Sequence, residues 1–254
     1  MLFRSNCRQL TQGRHAHPID DATSRAARPG SFVSAAVDNA GMPPVDPPAD
    51  PPLSSAPEAP GPAPDPLAER LVASEVLHRG RVLEFRADIV ERADGQRARR
   101  DVAGHPGAVA IVALDPDGCV LLVRQYRHPA GRVLLEIPAG TLERDPAGTT
   151  EDPELAARRE LEEETGRRAA RWELLTDFWT APGFATERMF LFLATDLAPA
   201  TGDRRHPDED EALELVRLPW REAVAAAERG EIRDAKSLVG LFWLARRLEG
   251  AASG

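Results

Sequence analysis

Lysine is almost missing from this chain: Lys236 is the only one among 32 basic residues, and all the others are arginine. Such a bias reads as base composition of the coding DNA rather than as function. Positive charge is also outweighed, with a net charge of −9, which argues against a nucleic-acid-binding surface. There are only two cysteines, Cys7 and Cys119, and Cys7 falls in a segment expected to be disordered. The pair supports neither a disulfide framework nor a zinc site, and it fits a reducing cytoplasm. No apolar run reaches the length needed to cross a bilayer, so no membrane partner is expected. The first nineteen residues carry several arginines and no acid, but they lack the apolar core of a secretory signal. What is present is a 42% apolar chain of 254 residues, enough to build a core for one large domain or two small ones.

Residues 1–66 hold 13 of the 23 prolines, among Ala, Ser, Asp and Gly. A segment of this composition cannot bury enough apolar surface to offset its ordering entropy, so a disordered tail is expected there. Folding signals begin near Leu71. Leu71 to Leu77, Val82 to Glu91 and Arg97 to Val102 read as strands, with Asp94-Gly95 as a hairpin turn, giving a small antiparallel sheet over residues 67–103. Over residues 104–250, Ala108 to Leu114 and Val120 to Gln125 flank a second turn, and Val133 to Ile137 leads into Pro138-Ala139-Gly140. Further strands are expected at Arg171 to Phe178, Met189 to Thr195 and Leu213 to Leu218. Helices follow at Trp220 to Arg229 and Asp234 to Leu248, the last with Leu238, Leu241, Phe242 and Leu244 on its apolar face. Mixed strands, one central helix and closing helices make an α/β (α+β) sandwich rather than a doubly wound sheet.

The most informative segment is Gly140 to Gly166. Asp152-Pro153 reads as a helix start and Gly166 as its stop. Between them Glu160, Glu163 and Glu164 stand at i, i+3 and i+4, so their carboxylates project from one face, whereas Glu162 points elsewhere. Like charges at that spacing cost about 0.2–0.5 kcal/mol per pair in an isolated helix, so the cluster implies a cation. A hard divalent ion suits it, because magnesium takes carboxylate oxygens and bridges them to substrate phosphates. Arg159 is placed to hold one carboxylate by a charge-assisted hydrogen bond.

Arg159-Glu160-Leu161-Glu162-Glu163-Glu164-Thr165-Gly166, with Glu151 eight positions before Arg159, resembles the Nudix box. Two departures stand out. Gly140 lies eleven positions before Glu151 where the family pattern has six, so the loop is five residues longer, and Arg167 replaces an aliphatic residue after the box. Extra loop length costs little closure entropy, so the helix and its acids are expected to survive it. Downstream, Thr180-Ala181-Pro182-Gly183-Phe184-Ala185-Thr186-Glu187 resembles the Pro-Gly loop of the ADP-ribose pyrophosphatase subfamily, with Pro182 sixteen positions past Gly166. Val123-Arg124-Gln125-Tyr126-Arg127, His105-Pro106-Gly107 and Gly230-Glu231-Ile232-Arg233-Asp234 also resemble segments of that subfamily.

The resemblance implies a Nudix-type α/β/α sandwich with a mixed sheet and an antiparallel sheet before it. It implies magnesium, with manganese as the alternative, held by Glu160, Glu164, Glu163 and the Ala139 carbonyl, with Glu136 and Glu143 as outer acceptors. Arg127 is the expected phosphate contact, with Arg124 and Arg100 as further substrate contacts, and Pro182, Gly183 and Phe184 shape the sugar pocket. A glutamate in the loop before Leu213, Glu211 or else Glu209, is the expected base, with Glu163 and Arg159 assisting. The implied reaction is hydrolysis of ADP-ribose to AMP and ribose 5-phosphate by a homodimer. Another nucleotide sugar or a dinucleotide polyphosphate is the alternative substrate, and a non-catalytic ADP-ribose sensor is a further alternative.

Overall fold

A computed structural model of the chain describes residues 65–202 and 212–252. Three strands, β1 (Arg70–Arg79), β2 (Glu84–Glu91) and β3 (Arg97–Gly104), form an antiparallel sheet in chain order, and the Asp94-Gly95 turn joins the last two. Gly95 donates its N–H to Arg92 and adopts φ 78°, a left-handed conformation that glycine reaches without a Cβ clash. Ala87 and Val90 of β2 are buried, whereas β1 is exposed along almost its whole length.

The main sheet is built from β4 (Ala108–Leu114), β5 (Cys119–Arg127), β6 (Arg132–Glu136), β7 (Ala139–Thr141), β8 (Arg167–Trp179), β9 (Arg188–Pro199) and β10 (Leu213–Pro219). Its order is β10-β5-β4-β9-β8, and β4 runs parallel to β9 while the other pairs are antiparallel. The sheet is therefore mixed, as expected. β4 and β5 pair only beside their turn, at Ala113 with Leu121 and Leu114 with Val120. Beyond that point the chain from Arg132 to Thr141 fills the opening, first along β5 as β6 and then along β4 as β7. β7 is a three-residue strand where a loop was expected.

Helix α1 (Pro153–Thr165) covers one face of the sheet, with Ala156, Ala157 and Leu161 packed among Val109, Ile111, Ala113 and Leu121. Fully burying a leucine such as Leu161 contributes about 1.5–3 kcal/mol, and this fixes which side of α1 points away from solvent. Helices α2 (Trp220–Glu228) and α3 (Ala235–Ala252) cover the other face through Ala223, Ala226, Leu241 and Leu244. Phe242, expected on the apolar face of α3, is half exposed; Ser237 and Leu241 occupy buried positions of that helix. The result is an α/β/α sandwich. Cys119 is buried at the head of β5. Among the described residues no helix is long and apolar enough to cross a membrane.

Candidate active site

The site starts from helix α1. Asp152 caps it, its Oδ1 accepting from the N–H groups of Glu154 (2.9 Å) and Leu155 (3.1 Å), and Pro153 sits at the first helical position. Such a cap is worth about 1 kcal/mol. Gly166 ends the helix with φ 64° and donates to the Glu162 carbonyl. Arg167, the departure from the aliphatic pattern, simply begins β8, its N–H donating to Thr165 Oγ1. The five extra residues before the helix fold as a small hairpin: Glu151 donates to the Glu143 carbonyl, Arg144 bridges Thr150, and Gly148 closes a turn on Asp145. The insertion thus stays outside the helix, which keeps the spacing of its acids.

Arg159 is the hub of the acidic face. Its Nη1 donates to Glu160 (2.6 Å) and Glu163 (3.0 Å), its Nη2 to Glu151 (3.0 Å) and the Thr141 carbonyl (3.3 Å), and its Nε to Glu151 (3.3 Å). Burial disfavours the guanidinium charge, but the hydrogen bonds and charges of Glu151 and Glu160 outweigh it and hold the group above the ordinary arginine range. Glu162 points elsewhere, as expected, and makes two 2.7 Å bonds with Arg168.

Strand β7 supplies the opposing surface. The Ala139 N–H donates to Glu164 Oε2 at 3.2 Å. Gly140 lies directly on Glu160: a Cβ at that position would stand 1.8 Å from Glu160 Oε1. Only glycine leaves room for the carboxylate there. Carboxylate oxygens packed against the backbone are the donors a hard divalent cation takes. Among the described residues no three acidic, His or Cys side chains converge on a single point. Magnesium does not require such a cage, because it usually binds through one or two carboxylates and completes its shell with water and substrate phosphate. The residues therefore fit the ion.

In front of these acids opens a cavity of about 770 Å³. Arg159, Glu160 and Glu163 line it, and so do Arg79 and Arg86 of the N-terminal sheet and Arg81 of the bend between its first two strands. Glu143 and Arg144 of the inserted hairpin, and His105 and Thr186, complete its rim. His105 Nδ1 accepts from the Gly107 N–H (3.0 Å), and its Nε2 lies 3.7 Å from Glu187. Burial lowers the His105 pKa, Arg144 adds to this, and Glu187 opposes it.

Several expected substrate residues lie elsewhere. Arg127 does not line the cavity; its guanidinium makes a two-pronged pair with the buried Glu136, at 3.0 Å for both bonds. Glu136 is correspondingly engaged by Arg127 and Lys236 rather than facing the cavity. Arg124 pairs with Glu214 and Arg100 with Glu69, both on exposed surface. Pro182, Gly183 and Phe184 are exposed, but their loop is pinned to β3: Ala103 donates to the Phe184 carbonyl (2.7 Å) and Thr186 donates to the Ala103 carbonyl (3.0 Å). That register brings Thr186 to the cavity. Glu209 and Glu211 lie outside the described residues. Arg79, Arg81 and Arg86 were not anticipated, since they sit on β1, the bend after it and β2, none of which carries a motif; their one signal is the Arg79-Gly80-Arg81 stretch ahead of the box.

The NUDIX domain family matches residues 104–239. The chain belongs to the Nudix hydrolase family. It is 38% identical over 178 residues to the ADP-ribose pyrophosphatase of Bacillus subtilis (strain 168), covering 70% of this chain and 93% of that protein. Over 171 residues it is 42% identical to the ADP-ribose pyrophosphatase of Mycobacterium tuberculosis (strain ATCC 25618 / H37Rv), covering 67% and 80% respectively. A solved structure described as an ADP compounds hydrolase superposes with a TM-score of 0.61 at 26% identity, covering 73% of this chain and 97% of that one. The Nudix match spans the box, the inserted hairpin and the Pro-Gly loop.

Proposed function

We propose that this Nudix hydrolase cleaves the diphosphate of a nucleoside diphosphate joined to a second moiety, and that ADP-ribose is the preferred substrate, yielding AMP and ribose 5-phosphate. The observation that carries the reading is the cavity itself: Glu160 and Glu163 of the box helix and Arg79, Arg81 and Arg86 of the N-terminal segment line one and the same space. A diphosphate bridged to a cation satisfies both sets of charges at once, and planar guanidinium groups match phosphate oxygens in pairs. The relatives named as ADP-ribose pyrophosphatases support the choice of nucleotide.

Glu160 and Glu164 are assigned as direct ligands of magnesium, or manganese in its place, with Glu163 as ligand or water-holder and the Ala139 carbonyl as a further oxygen. The bound ion supplies charge screening at the phosphates and acidifies a water molecule. Arg159 orients the carboxylates. Arg79, Arg81, Arg86 and Arg144 take the phosphate oxygens, a role first expected of Arg127, Arg124 and Arg100. Water adds to one phosphorus, the bridging P–O bond breaks, and the proton passes to Glu211, with Glu209 as the second assignment and Glu163 as the third. The Pro182–Phe184 loop bounds the terminal-sugar side. The active species is a homodimer, supported by the exposed Leu71, Leu77, Val82 and Phe85 in and beside β1 and β2.

The test is a substrate panel of ADP-ribose, GDP-mannose, NADH, coenzyme A and diadenosine polyphosphates with magnesium, products being identified by chromatography. ADP-ribose is expected to give the highest kcat/KM, and Glu211→Gln to lower its kcat by at least about 10², the smaller factor for a positioned base. Turnover of another substrate with ADP-ribose inert would overturn the choice of nucleotide.

A further inference from the structure

A buried polar cluster at the start of α3 is not used by the proposed chemistry. Glu136 is 1% exposed, Ser237 0% and Lys236 9%. Arg127 already meets both oxygens of Glu136, yet Lys236 Nζ reaches Glu136 Oε2 as well and also pairs with Asp234 at 2.9 Å. The second cation comes from a different element, so its effect is to tie α3 to the end of β6.

A second tie lies one residue further along. The β5–β6 ladder ends at Glu136, and the next N–H, that of Ile137, donates to Ser237 Oγ at 2.8 Å. That hydroxyl donates in turn to Asp234 Oδ2 at 2.6 Å, and Asp234 also accepts from the Ser237 N–H. A third contact is steric. A Cβ on Gly240 would lie 2.9 Å from Val112 Cγ2 and 3.0 Å from Ile137 Cδ1, so the helix backbone is seated on Ile137 itself. Charge, hydrogen bond and close packing thus converge on Glu136-Ile137. Two residues later Ala139 donates to Glu164, and Gly140 abuts Glu160.

We propose that Lys236 and Ser237 are positioning residues for the metal site: by fixing Glu136 and Ile137 they set the start of β7, Ala139-Gly140, on which the carboxylates of Glu160 and Glu164 rest. The inference rests on the metal-binding reading of those two acids. Neither Lys236 nor Ser237 touches the ion or the substrate, so the effect belongs in metal affinity.

The experiment is a Mn²⁺ titration of the full chain without substrate, read from the EPR signal of free Mn²⁺, with a thermal melt of each variant. Ser237→Ala and Lys236→Met are expected to weaken Mn²⁺ binding by about 10- to 100-fold, the range for losing an outer partner of a metal site. The Mg²⁺ concentration for half-maximal turnover shifts by the same factor, while kcat at saturating metal approaches that of the wild type. Leu244→Ala, in the same helix but in the apolar core, lowers the melting temperature and leaves the Mn²⁺ affinity unchanged. Wild-type affinity in Ser237→Ala and Lys236→Met overturns the inference, as does an equal loss of affinity in Leu244→Ala, which would mark a general stability effect. Should Lys236→Met not fold, Ser237→Ala, which deletes one hydroxyl, decides the matter. If Glu164→Gln binds Mn²⁺ as tightly as the wild type, the metal reading itself fails, and the inference falls with it.

Discussion

Arg159 turns an unfavourable residue pattern into a site. Three glutamates within five positions repel one another, and each like-charge pair at helical spacing costs about 0.2–0.5 kcal/mol. The guanidinium bonds two of them and Glu151 at once, so the face is partly neutralised before any metal arrives. Gly140 does the complementary work by leaving space. Gly140→Ala is therefore expected to lose about 10- to 100-fold in metal affinity and turnover, because Oε1, Cδ and Cγ of Glu160 would lie 1.8–2.5 Å from the new Cβ and the carboxylate must move, at a cost in melting temperature. Wild-type Mg²⁺ dependence in that variant would show that β7 does not set the carboxylate. Residue placements were legible to different degrees. Glu160, Glu163 and Glu164 were legible because helical periodicity alone places them together. The cavity arginines were not, since β1, β2 and the box are far apart in sequence and only tertiary structure brings them to one cavity. Arg127 shows the converse: its position along the strand was readable, but not the buried Glu136 that engages it.

At the scale of elements, α1 was readable to within a residue because both its ends are coded locally, by Asp152-Pro153 and Gly166. The strands of the antiparallel sheet and β4 were readable for a similar reason, their limits being marked by Gly and Pro turns. β7 escaped because three residues carry no periodicity, and β8 begins earlier than expected because pairing of Arg167 with Pro199 extends it past its apolar stretch. The Pro-Gly loop belongs to this scale too. Its backbone is pinned to β3 through Ala103, and Thr186, four residues after Pro182, reaches the cavity rim. Loss of the rigid φ of Pro182 loosens that register. Pro182→Ala is expected to raise KM for ADP-ribose more than it lowers kcat, measured by steady-state kinetics. An equal loss on every substrate in the panel would point to a folding defect instead.

Residues 65–252, as far as they are described, join a three-stranded sheet to an α/β/α sandwich, and residues of both line the cavity. Exposed apolar side chains on β1, an edge strand of the small sheet, invite pairing with another copy. Sedimentation is expected to give a dimer that Leu77→Asp dissociates; a monomer at all concentrations would contradict the assembly. The central claim, however, is metal-assisted hydrolysis of ADP-ribose by the box acids. The most direct measurement is the rate of AMP and ribose 5-phosphate release, for the wild type and for Glu164→Gln, with Mg²⁺ and with excess EDTA. The account predicts release by the wild type only with Mg²⁺, and at least a tenfold lower rate for a folded Glu164→Gln, about the smallest effect expected even of an outer partner of a metal. Undiminished release in EDTA, or a wild-type rate in Glu164→Gln, would contradict it.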